Sequence, residues 1–156
     1  MSLISAADQE RLRESFAEMT RPVRLLFFTQ TLDCETCLHT RQILDELPPL
    51  SDRITIEEVN FVLEADRAKE YGIDRVPAVA VAYEDSTSEN GGAGTSGVVK
   101  DSRIRFLGAP AGYEFISLVQ AILLVGGSES ILSPDNRARV AAVAQPVTIQ
   151  VFTTPG

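Results

Sequence analysis

The sequence contains two cysteines, and they stand three positions apart in the segment Cys34-Glu35-Thr36-Cys37. This spacing is too short for an ordinary structural disulfide, and it is one of the few spacings that support reversible redox chemistry. The expected reaction is thiol–disulfide exchange, in which the Cys34 thiolate attacks a substrate disulfide and forms a mixed disulfide. Cys37 then attacks this mixed disulfide, releases the reduced substrate and leaves the two cysteines oxidised.

Two other interpretations of the cysteines are a metal site and a pair of inert thiols. Zinc normally takes four cysteine, histidine or carboxylate ligands, whereas the chain has two cysteines and a single histidine, His39. A complete sulfur and imidazole site would need a second chain, so we predict no metal. His39 is expected to be a solvated surface residue, because on an ideal helix it points away from Cys34.

The elements around the cysteines follow from the apolar pattern. The run Val23 to Thr29 is short and almost continuously apolar, which is typical of a strand covered on both faces. A helix is expected from Cys34 to Leu47, where Pro48-Pro49 stops it. At a helix N-terminus, free backbone N–H groups and the macrodipole lower the pKa of a thiol, and Cys37 would lie one turn further on the same face.

The two residues between the cysteines, Glu35 and Thr36, are expected to tune the reduction potential. The charge of Glu35 lies close to a developing Cys34 thiolate and should raise the pKa of that thiol. A less stable thiolate makes the disulfide harder to reduce. The hypothesis is therefore a reductant or mild exchanger rather than a strong oxidant.

The Val76-Pro77 pair is a second candidate feature, at the start of a predicted strand where proline donates no ladder hydrogen bond. It could be an ordinary strand start. A cis bond before Pro77 would instead turn the chain sharply and expose the Val76 backbone to a substrate segment.

The remaining pattern predicts an α/β fold, a mixed central sheet of about four strands with helices on both faces. A glycine- and serine-rich loop, 85–97, joins the last two strands as a long hairpin. The other predicted elements are a helix from Ser5 to Thr20, strands at 54–61, 78–83 and 103–107, and helices at 63–71 and 112–125.

The last thirty or so residues form a separate region. A helix is expected at 134–144, and residues 145–153 repeat the x-Pro-Val-x-(Leu/Ile)-x-x-Phe-Thr pattern of residues 21–29. We therefore divide the chain into a domain at 1–127 and a linker helix plus the first strand of a truncated second unit at 128–156. That strand should pair with another chain, giving a dimer through 147–153, pack on the domain, or be disordered.

Together these motifs resemble the thioredoxin/glutaredoxin superfamily, and more closely the two-domain protein disulfide oxidoreductases, or glutaredoxin-like domain proteins, of thermophilic archaea and bacteria. The resemblance covers residues 10–125. It rests on the segments at 22–29 and 34–47, on Tyr71-Gly72-Ile73-Asp74-Arg75-Val76-Pro77-Ala78, and on Gly108-Ala109-Pro110-Ala111-Gly112-Tyr113-Glu114-Phe115.

The resemblance implies a thioredoxin-like fold and a pair of such units in the full protein. It marks Cys34 as nucleophile, Cys37 as resolving thiol and Pro77 as a cis proline facing them. It also places Glu46 at an acidic position of the active-site helix, as a further tuning residue. Protein disulfides are the implied substrates, and the loop 85–97 is longer than the tight turn usual in the family.

The net charge of the chain disfavours two classes of binding partner. The net charge of −8 disfavours binding to phosphate backbones and anionic lipid, so neither nucleic acid nor a membrane is an expected partner. With no apolar N-terminal segment, a cytoplasmic location is the expectation.

The alternatives to a disulfide oxidoreductase are a non-catalytic interaction module and an electron relay from a flavoprotein reductase to a second redox unit. No cofactor is expected beyond the redox disulfide, with glutathione binding left open.

Overall fold

The computed structural model describes residues 2–85 and 97–153, and these residues build one mixed sheet of four strands in the order β2-β1-β3-β4. The strands are β1 (Val23–Thr29), β2 (Ile54–Asn60), β3 (Ala78–Asp85) and β4 (Val98–Leu107). The helices are α1 (Ala6–Ala17), α2 (Cys37–Asp45), α3 (Ala65–Glu70), α4 (Tyr113–Val125) and α5 (Pro134–Ala141), with a 3₁₀ turn at Pro48–Leu50.

The pairing of the strands brings several chain ends to one edge of the sheet. β1 runs parallel to β2, with Thr29 opposite Asn60 at their carboxyl ends. β3 is antiparallel to β1 and begins at this same edge, where Ala78 pairs with Phe28. β4 is antiparallel to β3 and ends there too, with Leu107 opposite Ala78. This edge is called the upper edge below.

Helices cover both faces of the sheet, which confirms the predicted architecture. Alternate residues of β1 point to opposite faces. Leu25 and Phe27 pack with α1, α2 and α4, whereas Leu26 and Phe28 pack with Ala68 of α3. β1 is therefore buried on both sides, as its continuous apolar run predicts.

The start of α1 also agrees with the sequence. Ser5 is the N-cap, and its hydroxyl accepts a 3.2 Å hydrogen bond from the Asp8 N–H. This bond satisfies one of the free N–H groups at the helix start.

The final hairpin is longer than the sequence predicts. β4 begins at Val98 rather than at residue 103, and β3 continues to Asp85. The additional residues include Lys100 and Asp101, which face solvent on an edge strand. An edge strand needs no apolar run, so periodicity alone misses it. Most of the predicted loop 85–97 lies outside the described residues.

The C-terminal segment, 131–153, is exposed throughout. α5 ends at Ala141, earlier than predicted, and residues 142–153 form no strand. The predicted strand at 147–153 finds no neighbouring strand in the described chain, and a lone strand leaves its backbone groups unpaired. Its side chains are exposed, and the Thr153 hydroxyl donates to the Glu114 carboxylate. The division at residue 127 stays a prediction.

No helix in the described ranges is both long and apolar enough to cross a membrane.

Candidate active site

The loop that follows β1, residues 30–36, carries Cys34 on the upper edge of the sheet. The Val76-Pro77 pair immediately precedes β3 at this edge, because Ala78 pairs with Phe28 near the end of β1. The fold thus brings the two sequence features that were expected to act together onto the same edge.

Cys34 and Cys37 are joined by a disulfide, with their Cα atoms 5.5 Å apart. The two residues differ in accessibility, since Cys37 is only 5% exposed and Cys34 is half-buried. A partner molecule approaching this edge therefore reaches Cys34 before Cys37.

The helix after the loop begins later than the sequence predicts. α2 starts at Cys37 with Thr36 as its N-cap, so Cys34 lies in the loop and does not open the helix. The helical hydrogen bonds begin where the Thr40 N–H donates to the Thr36 carbonyl over 2.9 Å. Since the helix-dipole effect is strongest within the first turn, it acts less directly on Cys34 than the sequence analysis assumed.

Two polar residues that the sequence analysis did not single out hold this loop. Thr40 is fully buried, and its hydroxyl donates to the Thr36 carbonyl over 2.9 Å. Gln30 donates from Nε2 to the Leu32 carbonyl over 2.7 Å. A threonine four residues after the N-cap is the signal that could have identified Thr40, because such a hydroxyl commonly bonds the preceding turn.

The Val76–Pro77 peptide bond is cis. Pro77 is buried and Val76 is half-buried. The Pro77 carbonyl accepts a 2.9 Å hydrogen bond from the Gly108 N–H, which ties the turn after β4 to this residue. Within the described ranges, the Val76 N–H and carbonyl have no hydrogen-bond partner. The backbone group expected to pair with a substrate segment is thus available.

The predicted tuning residues lie in different places. Glu35 is exposed and adjacent in sequence to Cys34, and Thr36 caps α2. Glu46 instead lies at the carboxyl end of α2, about 13 Å along the axis from Cys37. A direct tuning contact between Glu46 and the disulfide is therefore absent, although the sequence analysis expected a tuning role.

Glu46 instead holds the N-terminal segment. Its carboxylate accepts hydrogen bonds from the Ser2 hydroxyl and, over 2.9 Å, from the Leu3 N–H. These bonds, that of Ser2 foremost, hold the pKa of Glu46 below its usual value.

His39 is exposed, as expected, and borders a groove of about 250 Å³ between α2 and the start of α4. The groove is mostly apolar, and its other lining residues are Leu3, Ile4, Ile43, Glu46, Pro110, Ala111, Gly112 and Phe115. Among the described residues, no cluster of three or more histidine, cysteine, aspartate or glutamate side chains could hold a metal ion.

Three of the solved structures similar to this chain come from redox proteins. The NTD_N/C domain of alkylhydroperoxide reductase AhpF from Enterococcus faecalis superposes with a TM-score of 0.74 and 26% identity over 91% of this chain. A C503A mutant of AhpF from the same organism gives a TM-score of 0.72 and 27% identity over 89% of this chain. A protein disulfide oxidoreductase from Aeropyrum pernix gives a TM-score of 0.68 over 88% of this chain, and its 24% identity shows the fold alone.

The chain spans 62%, 60% and 54% of the length of these three structures, less than two thirds in each case. No protein-family model matches the chain, and no curated protein matches it.

The fold is thioredoxin-like, and the chain matches part of these longer redox proteins. The Cys34–Cys37 disulfide places on this fold the pair of sulfurs that thiol–disulfide exchange requires.

Proposed function

We propose that this chain exchanges disulfides with other proteins, using Cys34 as the attacking thiol and Cys37 as the resolving thiol. The observation that carries the proposal is the Cys34–Cys37 disulfide at the upper edge, with Cys34 accessible and Cys37 buried. The unequal accessibility matches the two roles, because the attacking sulfur must meet an external disulfide whereas the resolving sulfur needs only to reach its neighbour.

The reaction transfers two electrons from the reduced chain to the substrate. The Cys34 thiolate attacks one substrate sulfur, the substrate S–S bond breaks, and one substrate thiolate leaves. Cys37, once deprotonated, attacks the Cys34 sulfur of the mixed disulfide and the second substrate thiolate leaves. Water protonates the released thiolates. The free backbone groups of Val76 would align the substrate segment by strand-like pairing beside the reacting sulfurs.

A relay within a larger redox protein is the second candidate function. Two of the neighbours are alkylhydroperoxide reductase AhpF structures, of which this chain spans 62% and 60%. As a relay, the Cys34–Cys37 pair takes electrons from a flavoprotein donor and passes them to a further redox unit. The disulfide is the redox group, and glutathione is a candidate exchange partner in place of a bound cofactor.

The proposal includes a cytoplasmic location and a part in cell redox homeostasis. Reducing conditions there return the pair to the dithiol, so it can act repeatedly as a reductant.

Reduction of insulin by dithiothreitol, with the chain as catalyst, tests the exchange activity. We expect the wild type to accelerate insulin precipitation and Cys34→Ser to abolish the effect. Cys37→Ser should accumulate a mixed disulfide through Cys34, visible by mass spectrometry without reductant. A wild-type rate equal to that of dithiothreitol alone would instead favour a non-catalytic interaction module.

The relay is tested by replacing dithiothreitol with a flavoprotein disulfide reductase and its nicotinamide donor. Rapid reduction of Cys34–Cys37 without turnover of insulin would favour the relay. Incubation of the Cys37→Ser variant with oxidised glutathione, followed by mass spectrometry, shows whether the Cys34 thiolate forms a mixed disulfide with glutathione and releases one glutathione thiolate.

A further inference from the structure

We propose that the active site prefers disulfides flanked by lysine or arginine in an apolar protein segment. This inference rests on the proposed function and names the class of substrate for the same cysteines. It follows from the two carboxylates that flank Cys34 in sequence and from exposed apolar side chains on the same edge of the sheet.

The accessible cysteine stands between two exposed carboxylates, Asp33 and Glu35. In the part of the chain that the structure describes, neither carboxylate forms an ion pair. Their negative charges are therefore available to a ligand that approaches the Cys34 sulfur.

The basic residue nearest in sequence to Pro77 does not offset these charges. Arg75 forms two hydrogen bonds with Asp74, of 2.8 and 3.0 Å, so this pair is close to neutral. The charges of Asp33 and Glu35 are thus not offset by Arg75, and the net charge of −8 adds to them at longer range.

Exposed apolar side chains lie on the same edge of the sheet as the acidic pair. Leu32 is 77% exposed in the cysteine loop, and Val62 and Leu63 are 65% and 83% exposed in the turn after β2. That turn is fixed, since the Asn60 side-chain oxygen accepts from the N–H groups of Val62 and Leu63 over 3.1 and 2.9 Å. The Phe61 N–H donates to the Thr29 carbonyl over 2.8 Å, which holds the turn next to the end of β1.

This combination favours a protein segment that is apolar and basic around its disulfide. Burial of the leucine and valine side chains contributes affinity for any apolar segment. The two carboxylates then discriminate by charge, because they attract lysine or arginine and repel aspartate or glutamate placed next to the reacting sulfur. An acidic segment would bring like charges together at short range.

The test uses two synthetic peptides, each closed by one internal disulfide and identical except that lysines or glutamates flank both cysteines. The full chain, reduced beforehand and freed of reductant, reacts with each peptide in a single turnover. Two electrons pass from Cys34 and Cys37 to the peptide disulfide, so no further reductant is needed. Each rate is divided by the rate of the same peptide with dithiothreitol, which corrects for the peptide's own reactivity.

We expect the corrected rate for the lysine peptide to exceed that for the glutamate peptide by about tenfold at low ionic strength. At about 0.5 M salt, where the Debye length falls to roughly 4 Å, the ratio should fall to about twofold. The double variant Asp33→Asn/Glu35→Gln should remove most of the preference. Asparagine suits position 33 because Asp33 has a φ of +56°, which asparagine tolerates.

The matched control is Glu18→Gln/Asp52→Asn, which removes the same charge from exposed positions near the opposite edge of the sheet. It should keep the preference for the lysine peptide. Equal corrected rates for the two peptides at low salt, or a preference that survives Asp33→Asn/Glu35→Gln, would overturn the inference while leaving the proposed function intact. Failure of the reduced chain to react with either peptide would overturn both.

Discussion

The backbone N–H of Gly108 donates a 2.9 Å hydrogen bond to the carbonyl of Pro77, joining the turn after β4 to the residue that precedes β3. Gly108 has a φ of +104°, and a Cβ built on it meets no atom within 4 Å. Glycine is therefore required here for its backbone conformation and not for lack of space. The position of Pro77 on the upper edge of the sheet depends in part on this glycine.

Gly108→Ala should destabilise the protein by about 1–2 kcal/mol, because an L side chain is strained at this φ. It should also slow disulfide exchange, since relaxation of the turn weakens the bond to Pro77. Urea unfolding and the insulin assay measure the two effects. Gly72→Ala is the control, because Gly72 also has a positive φ and open space but follows α3. A slowed exchange in both variants would contradict the link to Pro77.

Thr40→Val should destabilise the protein by about 1 kcal/mol, because it removes the hydroxyl hydrogen bond to Thr36 from a fully buried position at nearly constant shape. The loss is moderate because the Thr36 carbonyl still accepts from the Thr40 N–H. Thr40→Ser, which keeps the hydroxyl, separates this bond from the packing of the methyl group. Denaturant unfolding of the oxidised protein provides the measurement, and an unchanged midpoint for Thr40→Val would contradict the prediction.

Glu57→Gln should reduce stability in a pH-dependent way. Hydrogen bonding from Arg67, with a further contribution from Arg24, holds the pKa of Glu57 below its ordinary value of 4.5. A depressed pKa in the folded state means that the stabilisation is present above pH 4.5 and is lost as the pH falls through the folded-state pKa. At neutral pH the variant should be less stable by roughly 1 kcal/mol.

Urea unfolding of wild type and Glu57→Gln at neutral and acid pH measures this difference, which should shrink once Glu57 is protonated. Glu58→Gln is the control, because the Glu58 side chain is 53% exposed and its ion pair with Arg41 should contribute little. A difference between wild type and Glu57→Gln that stays constant with pH would exclude the electrostatic explanation.

Glu35→Gln should raise the reduction potential of the disulfide, by on the order of 10 mV, because removing a nearby negative charge stabilises the Cys34 thiolate. Glu46→Gln should leave the potential unchanged, since Glu46 lies at the other end of α2. It should instead loosen the N-terminal segment bound by Glu46, which hydrogen exchange at Leu3 would detect. Equilibration with glutathione measures both potentials, and equal shifts in the two variants would refute this division of roles.

Local sequence predicted the parts of the fold in which a residue's own neighbours decide its structure. Val23–Thr29 is nearly continuously apolar and forms the central strand, since an apolar run of this length is stable only when covered on both faces. Ser5 caps α1 because its hydroxyl is close to the Asp8 N–H along the chain. The Cys34–Cys37 pair was recognisable for the same reason, because three residues of spacing determine which sulfur can reach which.

Other features depend on contacts between distant segments. The sequence placed Glu46 on the correct helix but could not show that Ser2 and Leu3, which are far away in the chain, bind its carboxylate. Val98 to Ser102 lack an apolar pattern, and they become a strand only because β3 supplies their hydrogen-bond partners. The same limit applies to residues 147–153, which repeat the pattern of β1 but have no strand beside them in the described chain.

The sequence by itself determined the reactive pair, its spacing and the buried strand that precedes it, because these depend on residue type and short-range geometry. Only the tertiary structure decided that Cys34 is the accessible cysteine and that α2 begins at Cys37 rather than at Cys34. The hydrogen bond from the Gly108 N–H to the Pro77 carbonyl at the upper edge of the sheet is likewise a tertiary contact. Accessibility and strand register arise from packing between segments remote in sequence, and no local pattern encodes them.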